Sequence, residues 1–508
     1  MKRAVLAAVL LTSCGGPRHQ IIEDTWDIPQ AWAAPELTEI TDLGGSDVPQ
    51  TGNLVLQGSD GVATIGETLW LRGKGFGRQP SVSIGGRPAA VLARTRDGGA
   101  LVRVPPGTPS GSQPVVVSNE VGKGEKPVAI RRYAAVMPAE GNRVGWAEIA
   151  ASGPIAAGTT PVSGGRLLAL SADGRAAYVA ETARSVVNVL EIPAAGAPRV
   201  CQRVDLGAEP VVALAAASRA PALAVVRRGD VVVLDTTFPL RPVRHTPRVF
   251  PTALREARLI AADISPDGRY LAAITEKGNS LVLIDLVARD KAAQVAEVAL
   301  LGDVRVPVLI DVAFSPDGQT VWALAGDTDT SRPVGPQPTQ VFAVRIAGEP
   351  RAQAALTVAR VVTITGAVNP MRISTGRAMP LVSGSAIRLP PERATVFVSA
   401  QSRVAAGVDA KTAAAAPAMI FRLGAEDAAF DAATAAGTVG KADVSPDGRW
   451  LLAASSSDGS LNVISAPADA RPGQQRSVQL LAAGAPGQSG GPGASGSGAR
   501  PPELRVQP

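Results

Sequence analysis

Few side chains in this sequence are equipped for chemistry. Of 508 residues, two are histidine (His19 and His245) and two are cysteine (Cys14 and Cys201). Two histidines so far apart nearly exclude a histidine proton shuttle or a His-rich metal site within one chain. Cys14 closes an apolar run near the N-terminus. Cys201 sits in PRVCQRVDL, an alternating stretch that reads as a strand, where a small thiol is a strand residue before it is a reactive one. The other candidates are carboxylates. Asp327 and Asp329 in GDTDTSRPVGPQPTQ (326–340) could contribute to a Ca²⁺ site, but the stretch lacks the Gly turn and closing Glu of a calcium loop. Asp409 and Lys411 lie in an Ala-rich polar stretch, 401–417, that reads as a mobile loop. Asp267, Asp317 and Asp447 each stand third in the same tetrapeptide. There is no G-x-S-x-G elbow, no His cluster and no H-E-x-x-H. No catalytic, metal or cofactor-binding residue is therefore assigned, and no cofactor is expected.

The tetrapeptide is Ser-Pro-Asp-Gly, at 265–268, 315–318 and 445–448. Pro sets φ at the second turn position, Asp bonds its own backbone, and Gly accepts φ > 0. The three Asp residues thus read as turn residues rather than ligands. A looser copy, SADG, stands at 171–174, and worn copies start at Leu214 and Ile387. Turn positions fall near 173, 219, 267, 317, 392 and 447, mostly about 46 to 55 residues apart. Apolar runs flank each turn, as in Leu259–Ile264, Tyr270–Ile274 and Ser280–Asp285. Repeats of roughly 40–50 residues with short strands are the mark of propeller blades, none of which can bury its faces alone. The turns and their strands resemble the YVTN, WD40-like family of bacterial propellers. The resemblance implies a propeller over 136–482 with six blades, seven being allowed. It identifies a fold and not a function, since similar propellers include lactonases, quinone-dependent dehydrogenases and peptidase-associated domains.

Upstream the pattern changes. GETLWLRGKGFG (66–77) alternates Leu69 and Leu71 with Trp70 and Arg72, then offers Gly73, Gly75 and Gly77 for a bulge or sharp turn. Val82 and Ile84 lead through Gly85-Gly86 to Ala89 and Val91, a hairpin signal. LVRVPPG (101–107) and GSQPVVVS (111–118) follow as strands. This order resembles the IPT/TIG family of immunoglobulin-like domains, and implies a β-sandwich over 50–135 used as a spacer or protein-binding module, without catalytic residues. The fold class is accordingly all-β: an immunoglobulin-like sandwich followed by a six- or seven-bladed propeller.

The N-terminus carries Lys2-Arg3 and an apolar run from Ala4 to Leu11, a secretory leader too short to span a bilayer as a helix. It ends in Leu11-Thr12-Ser13-Cys14-Gly15, which resembles the bacterial lipobox. The resemblance implies loss of residues 1–13, acylation of Cys14 and anchoring in a membrane. Gly15, where an inner-membrane retention signal would place Asp, favours the outer membrane. With Cys14 acylated, Cys201 has no partner for an intrachain disulfide. Residues 14–49 hold seven acids and one Arg and read as an extended acidic tether, with a helical turn near 30–34. Trp26 and Trp32 in it are expected to dock on the body of the protein, the sharper alternative being a partner-binding motif. Residues 483–508 are Gly/Ser/Pro-rich and are expected to be disordered.

Net charge is +6, and losing Lys2 and Arg3 leaves 48 basic residues against 44 acidic, a net of +4. No Lys/Arg run is interleaved with aromatics, so no nucleic-acid partner is expected. Aromatics are 3% of the chain, so Ala, Val and Leu must fill the core. The expected function is a non-enzymatic, lipid-anchored envelope protein whose propeller engages a protein or polysaccharide partner. A propeller enzyme is the alternative, and would need three or more acidic or amide side chains meeting at one channel mouth. A pure architectural spacer is the third reading.

Overall fold

The computed structural model describes residues 21–22, 32–43, 61–138 (without 96–97), 141–276 (without 151 and 194–196), 279–301 (without 288–292), 308–326, 339–347, 355–376 (without 365–366), 395–402, 418–423, 430–435, 439–444, 450–455, 460–465, 475–479 and 503–507. The chain divides into two compact units, with the boundary in the chain after Arg132.

The first unit is a sandwich of two five-stranded sheets. One runs Ile21–Ile22, Val91–Thr95, Ala100–Arg103, Thr68–Lys74 and Glu36–Asp42 in spatial order. The other runs Val62–Thr64, Lys123–Arg131, Gly111–Ser118, Ser81–Ile84 and Arg87–Ala89. Alternation supplies the core: Leu69, Leu71, Val82, Ile84, Val102, Val115 and Val117 point inward from both sheets. Gly85 and Gly86 have φ of 57° and 76°, and Ile84 pairs with Arg87. This is the two-residue hairpin turn that needs positive φ at both central positions, as the Gly-Gly pair predicts.

Two expectations fail at the N-terminal edge of the sandwich. The acid-rich composition predicts a tether running to residue 49, yet Glu36–Asp42 is a strand paired with Thr68–Lys74. The reason is a weak alternation hidden among the acids: Leu37 is buried and Ile40 packs on the sandwich core. The acids between them are not bare. Glu39 accepts from Arg72 at 2.8 Å, and that bond holds its carboxyl below the ordinary value. A bulge between Leu37 and Glu39 lies opposite Gly73, where a Cβ would meet the Glu36 carbonyl oxygen at 2.0 Å. Residues 32–34 carry no helical turn, and Trp32 is 89% exposed instead of docked. Asn119 holds this segment by donating from Nδ2 to the Ala33 and Gly75 carbonyls, both at 2.7 Å.

The second unit is a seven-bladed propeller. Six blades follow in chain order, each an antiparallel meander of four strands, except that the outer position of blade 2 holds two short strands: blade 1 from Gly165 to Asp205, blade 2 from Val211 to Val249, blade 3 from Leu259 to Ala299, blade 4 from Val308 to Ile364, blade 5 from Ala367 to Ala435 and blade 6 from Val439 to Gln479. Their first strands line the centre and touch one another around the ring. Blade 7 is composite. Tyr133–Met137, Arg143–Ala150 and Gly153–Pro161 supply its second to fourth strands, and Glu503–Val506 supplies the innermost. The C-terminal stretch is thus not disordered throughout, because residues 503–506 close the ring. Leu504 pairs with Val136 and lies in the apolar layer between blades 6 and 7, with Leu452, Leu461 and Val463. Gln507 reinforces the join, donating from its N–H to the Tyr133 carbonyl at 2.9 Å and accepting from the Tyr133 N–H at 2.7 Å.

Between blades the core is built from small and branched residues, as the scarcity of aromatics requires. Leu167, Tyr178, Val187, Leu223 and Val232 meet between blades 1 and 2, and Ala224, Val226, Leu271 and Val282 between blades 2 and 3. No helix of the described residues is long and apolar enough to cross a membrane.

Candidate functional site

The two ends of the ring have different construction. At one end stand the turns that join first to second strands. In blade 3 the Gly268 N–H donates to the Ser265 carbonyl at 2.8 Å, and Ser265 Oγ donates to the Asp267 carboxylate at 2.5 Å. Ser265 Oγ also accepts from Tyr270 N–H at 2.8 Å, while Asp267 accepts from Arg269 N–H at 3.1 Å. Blade 4 repeats the network: Ser315 donates to Asp317, Asp317 accepts from Gln319 N–H at 2.9 Å, and Ser315 accepts from Thr320 N–H at 3.0 Å. In the SADG copy, Ser171 accepts from Ala176 N–H at 3.0 Å. Asp267 and Asp317 are therefore turn residues, as their spacing predicts; Asp447 lies outside the described residues.

Successive turns also bond to each other. In the worn copy of blade 2, Arg219 N–H donates to the Pro266 carbonyl at 2.8 Å, and its guanidinium reaches the Pro316 carbonyl, two blades on, at 2.7 Å. Replacing Ser265 by Ala should cost about 1–2 kcal/mol, because it strips a partner from the buried Tyr270 N–H and from Asp267. Urea unfolding with unchanged m would measure this, and a cost below a few tenths would show the turn to be held by backbone alone.

The opposite end is where first strands begin, and here a bulge recurs. The register shifts between Gly165 and Leu167, Val211 and Ala213, Leu259 and Ala261, Leu309 and Asp311, Val368 and Arg372, and Val439 and Ala442. Bulges re-aim side chains at barrel rims and binding sites. The extra residues in blades 1 to 4 are Arg166, Val212, Ile260 and Ile310, all half-buried. Much of the charge at this end is matched in pairs. Glu181 accepts from Arg203 at 2.9 Å, and Arg227 holds Asp230 through two nitrogens, with Nε–Oδ1 at 2.5 Å. Gly326 and Ser402, from which the 326–340 and 401–417 stretches depart, stand at this end by the alternation of strand direction.

Among the described residues four acids lie on first strands: Asp263, Asp311, Asp443 and, on the innermost strand of blade 7, Glu503. Asp263 accepts from the Phe314 N–H of the next blade at 2.8 Å, stapling blade 3 to blade 4. Sequence reading missed this role, although Asp263 and Asp443 share a signal, an acid two residues before the turn Ser. No three His, Cys, Asp or Glu side chains among the described residues are placed to hold a metal ion.

Of the remaining sequence candidates, the described ones, Cys201 and His245, stand at the outer edges of their blades, away from both ends of the ring. Cys201 is on the outer strand of blade 1, where the residue is exposed but its sulfur turns inward, donating to the Val189 carbonyl at 3.3 Å. Burial of the sulfur, and then the nearby Glu191 carboxylate, push its thiol up, away from the thiolate form. His245 is exposed on the outer edge of blade 2, its N–H bonded to the Val233 carbonyl at 3.1 Å. Cys14, His19, Trp26, Asp327, Asp329, Asp409 and Lys411 lie outside the described residues.

Residues 57–129 match the IPT/TIG domain family. No curated protein matches the chain. Among solved structures it is similar to a Pseudomonas aeruginosa periplasmic gluconolactonase, at 15% identity over 74% of this chain and 99% of that one, with a TM-score of 0.49. A putative 6-phosphogluconolactonase from Bacteroides uniformis is 14% identical over 69% of this chain and 97% of that one, with a TM-score of 0.46. An auxiliary nutrient binding protein from Bacteroides thetaiotaomicron is 9% identical over 83% and 95%, with a TM-score of 0.36.

Proposed function

We propose that this protein is a lipid-anchored component of a bacterial cell envelope, outer membrane favoured, whose propeller engages a protein or polysaccharide partner without catalysing a reaction. The observation that carries the reading is the leader: Lys2-Arg3, the apolar Ala4–Leu11 run, then Leu-Thr-Ser-Cys ending at Cys14. The chemistry of both ends supports it. Glu181 and Asp230, where first strands begin, are engaged by arginines, and Asp263, beside the Ser265 turn, by the backbone of the next blade, so they hold their neighbours in place rather than standing ready for a substrate. The enzyme alternative needs several acids or amides gathered at one channel mouth, and Asp263, spent on the next blade, does not favour it.

The expected result is an N-terminus at Cys14 carrying acyl groups, and a protein that leaves membranes only with detergent. Each buried methylene contributes about 0.8 kcal/mol, so more than one acyl chain makes release slow. Cys14→Ser should block acylation and abolish this form. Mass spectrometry of the envelope protein decides it: an unacylated Cys14, or residues 1–13 still attached to the wild-type chain, removes the reading.

A further inference from the structure

We propose that the outer edge of blades 1 and 2 is a docking surface for an anionic lipid bilayer. The outer strand of blade 2 is broken into Val243–Arg244 and Val249 with Arg248, preceded by a turn over Phe238–Arg241 that is closed by the Arg241 N–H on the Phe238 carbonyl at 2.8 Å. Phe238 leads this turn and is 62% exposed, and Val243 and Val249 are 57% and 52% exposed. The turn sits on blade 1: Tyr178 Oη donates to the Pro239 carbonyl at 3.0 Å, and Cys201 Sγ lies 4.0 Å from the Leu240 carbonyl oxygen. The exposed Val200, next to Cys201, extends the apolar surface onto blade 1.

Cations are interleaved with these side chains. Among the described residues Arg241 and Arg244 are exposed and make no ion pair, and Arg248 is half-buried, where burial lowers its pKa and the attraction of Asp285 opposes that. Residues 236–249 contain no acid. The flanking Asp235 is turned into its own turn, accepting from Thr237 N–H at 2.8 Å and Thr237 Oγ1 at 2.7 Å, and those bonds hold its carboxyl below the ordinary value. On blade 1, Arg199 is neutralised by Glu191 at 3.0 Å. The edge therefore offers two exposed guanidinium groups that are unpaired among the described residues, and protruding apolar side chains. A protein hot spot buries anchors in fitted pockets. A lipid interface instead takes protruding phenylalanine and valine into the headgroup region while arginines meet phosphates. Charge complementarity thus selects anionic lipid as the occupant.

The inference rests on the envelope reading for a membrane to be near, but its test does not. The chain from residue 14 onward, with Cys14→Ser so that no acyl group is attached, is mixed with vesicles of phosphatidylcholine alone or containing phosphatidylglycerol. Sedimentation with the anionic vesicles is expected, and its loss in high salt. Arg241→Ser with Arg244→Ser should weaken partitioning by about 30-fold, and Phe238→Ser by about tenfold, with unfolding midpoints unchanged because all three sites are exposed. Absence of binding, equal binding to neutral vesicles, or variants that bind like the parent would overturn the proposal. So would displacement by polyglutamate with no effect of Phe238→Ser, which would make the edge a site for an acidic protein.

Discussion

Deleting residues 501–508 is expected to open the propeller. The innermost strand of blade 7 would vanish, leaving the edge of Tyr133–Met137 unpaired and the apolar layer between blades 6 and 7 uncovered. A milder form of the test is Leu504→Ala. Leu504 is 1% exposed and packs among residues of both blades, so truncation leaves a cavity costing about 2–5 kcal/mol. Ile155→Ala, on an exposed face of the same blade, is the control and should stay within about 0.5 kcal/mol. Denaturant unfolding followed by tryptophan fluorescence reads both, since Trp146 is buried in blade 7 with its indole N–H on Thr160 Oγ1 at 2.9 Å. If Leu504→Ala and Ile155→Ala unfold at the same midpoint, the C-terminal strand does not close the ring in solution.

Asp230→Ala is the second large loss. Its carboxylate grips the Arg227 guanidinium where both side chains are largely buried, and Arg227 also donates from Nη1 to the Leu206 carbonyl at 2.7 Å, tying blade 2 to the end of blade 1. Removing only the acid leaves a buried cation without a counter-charge, at a cost of about 3–5 kcal/mol. Replacing both, as Arg227→Met with Asp230→Leu, should cost less than the single change, since an apolar pair of similar volume has no charge to desolvate. A double-mutant cycle then gives a coupling well above 1 kcal/mol. Because the pair is buried, the coupling should change little with salt, unlike the exposed Glu39–Arg72 bridge. A single-mutant cost under about 1 kcal/mol would show that water reaches the guanidinium.

These tests fall on features of very different visibility. The Ser-Pro-Asp-Gly turn could be read from four residues because every bond it makes is local: Ser265 bonds Asp267 and Tyr270, and Gly268 supplies its own positive φ of 73°. The Gly85-Gly86 hairpin is legible for the same reason. The seventh blade was not legible from turns, and the cause is topological. Its first strand comes from the far end of the chain, so no turn joins it to the second, and six turn copies are all that seven blades require. The Tyr133–Gln507 bond spans 374 residues, and nothing in Glu503–Val506 itself names its partner. Glu36–Asp42 is hidden in the same way, since acids dominate a segment whose few apolar residues acquire meaning only beside Thr68–Lys74.

By itself, then, the sequence determined the all-β class, the order of sandwich and propeller, the repeat and the role of its turn aspartates. All of these depend on periodicity and on bonds within a few residues. Tertiary structure alone decided the blade count, the closing strand, the Asp263 staple, the Arg227–Asp230 clamp and the basic, apolar edge of blades 1 and 2. Each of those brings together residues from separate strands or blades, and such pairing is set by packing a whole ring at once, a constraint that no local stretch of chain carries.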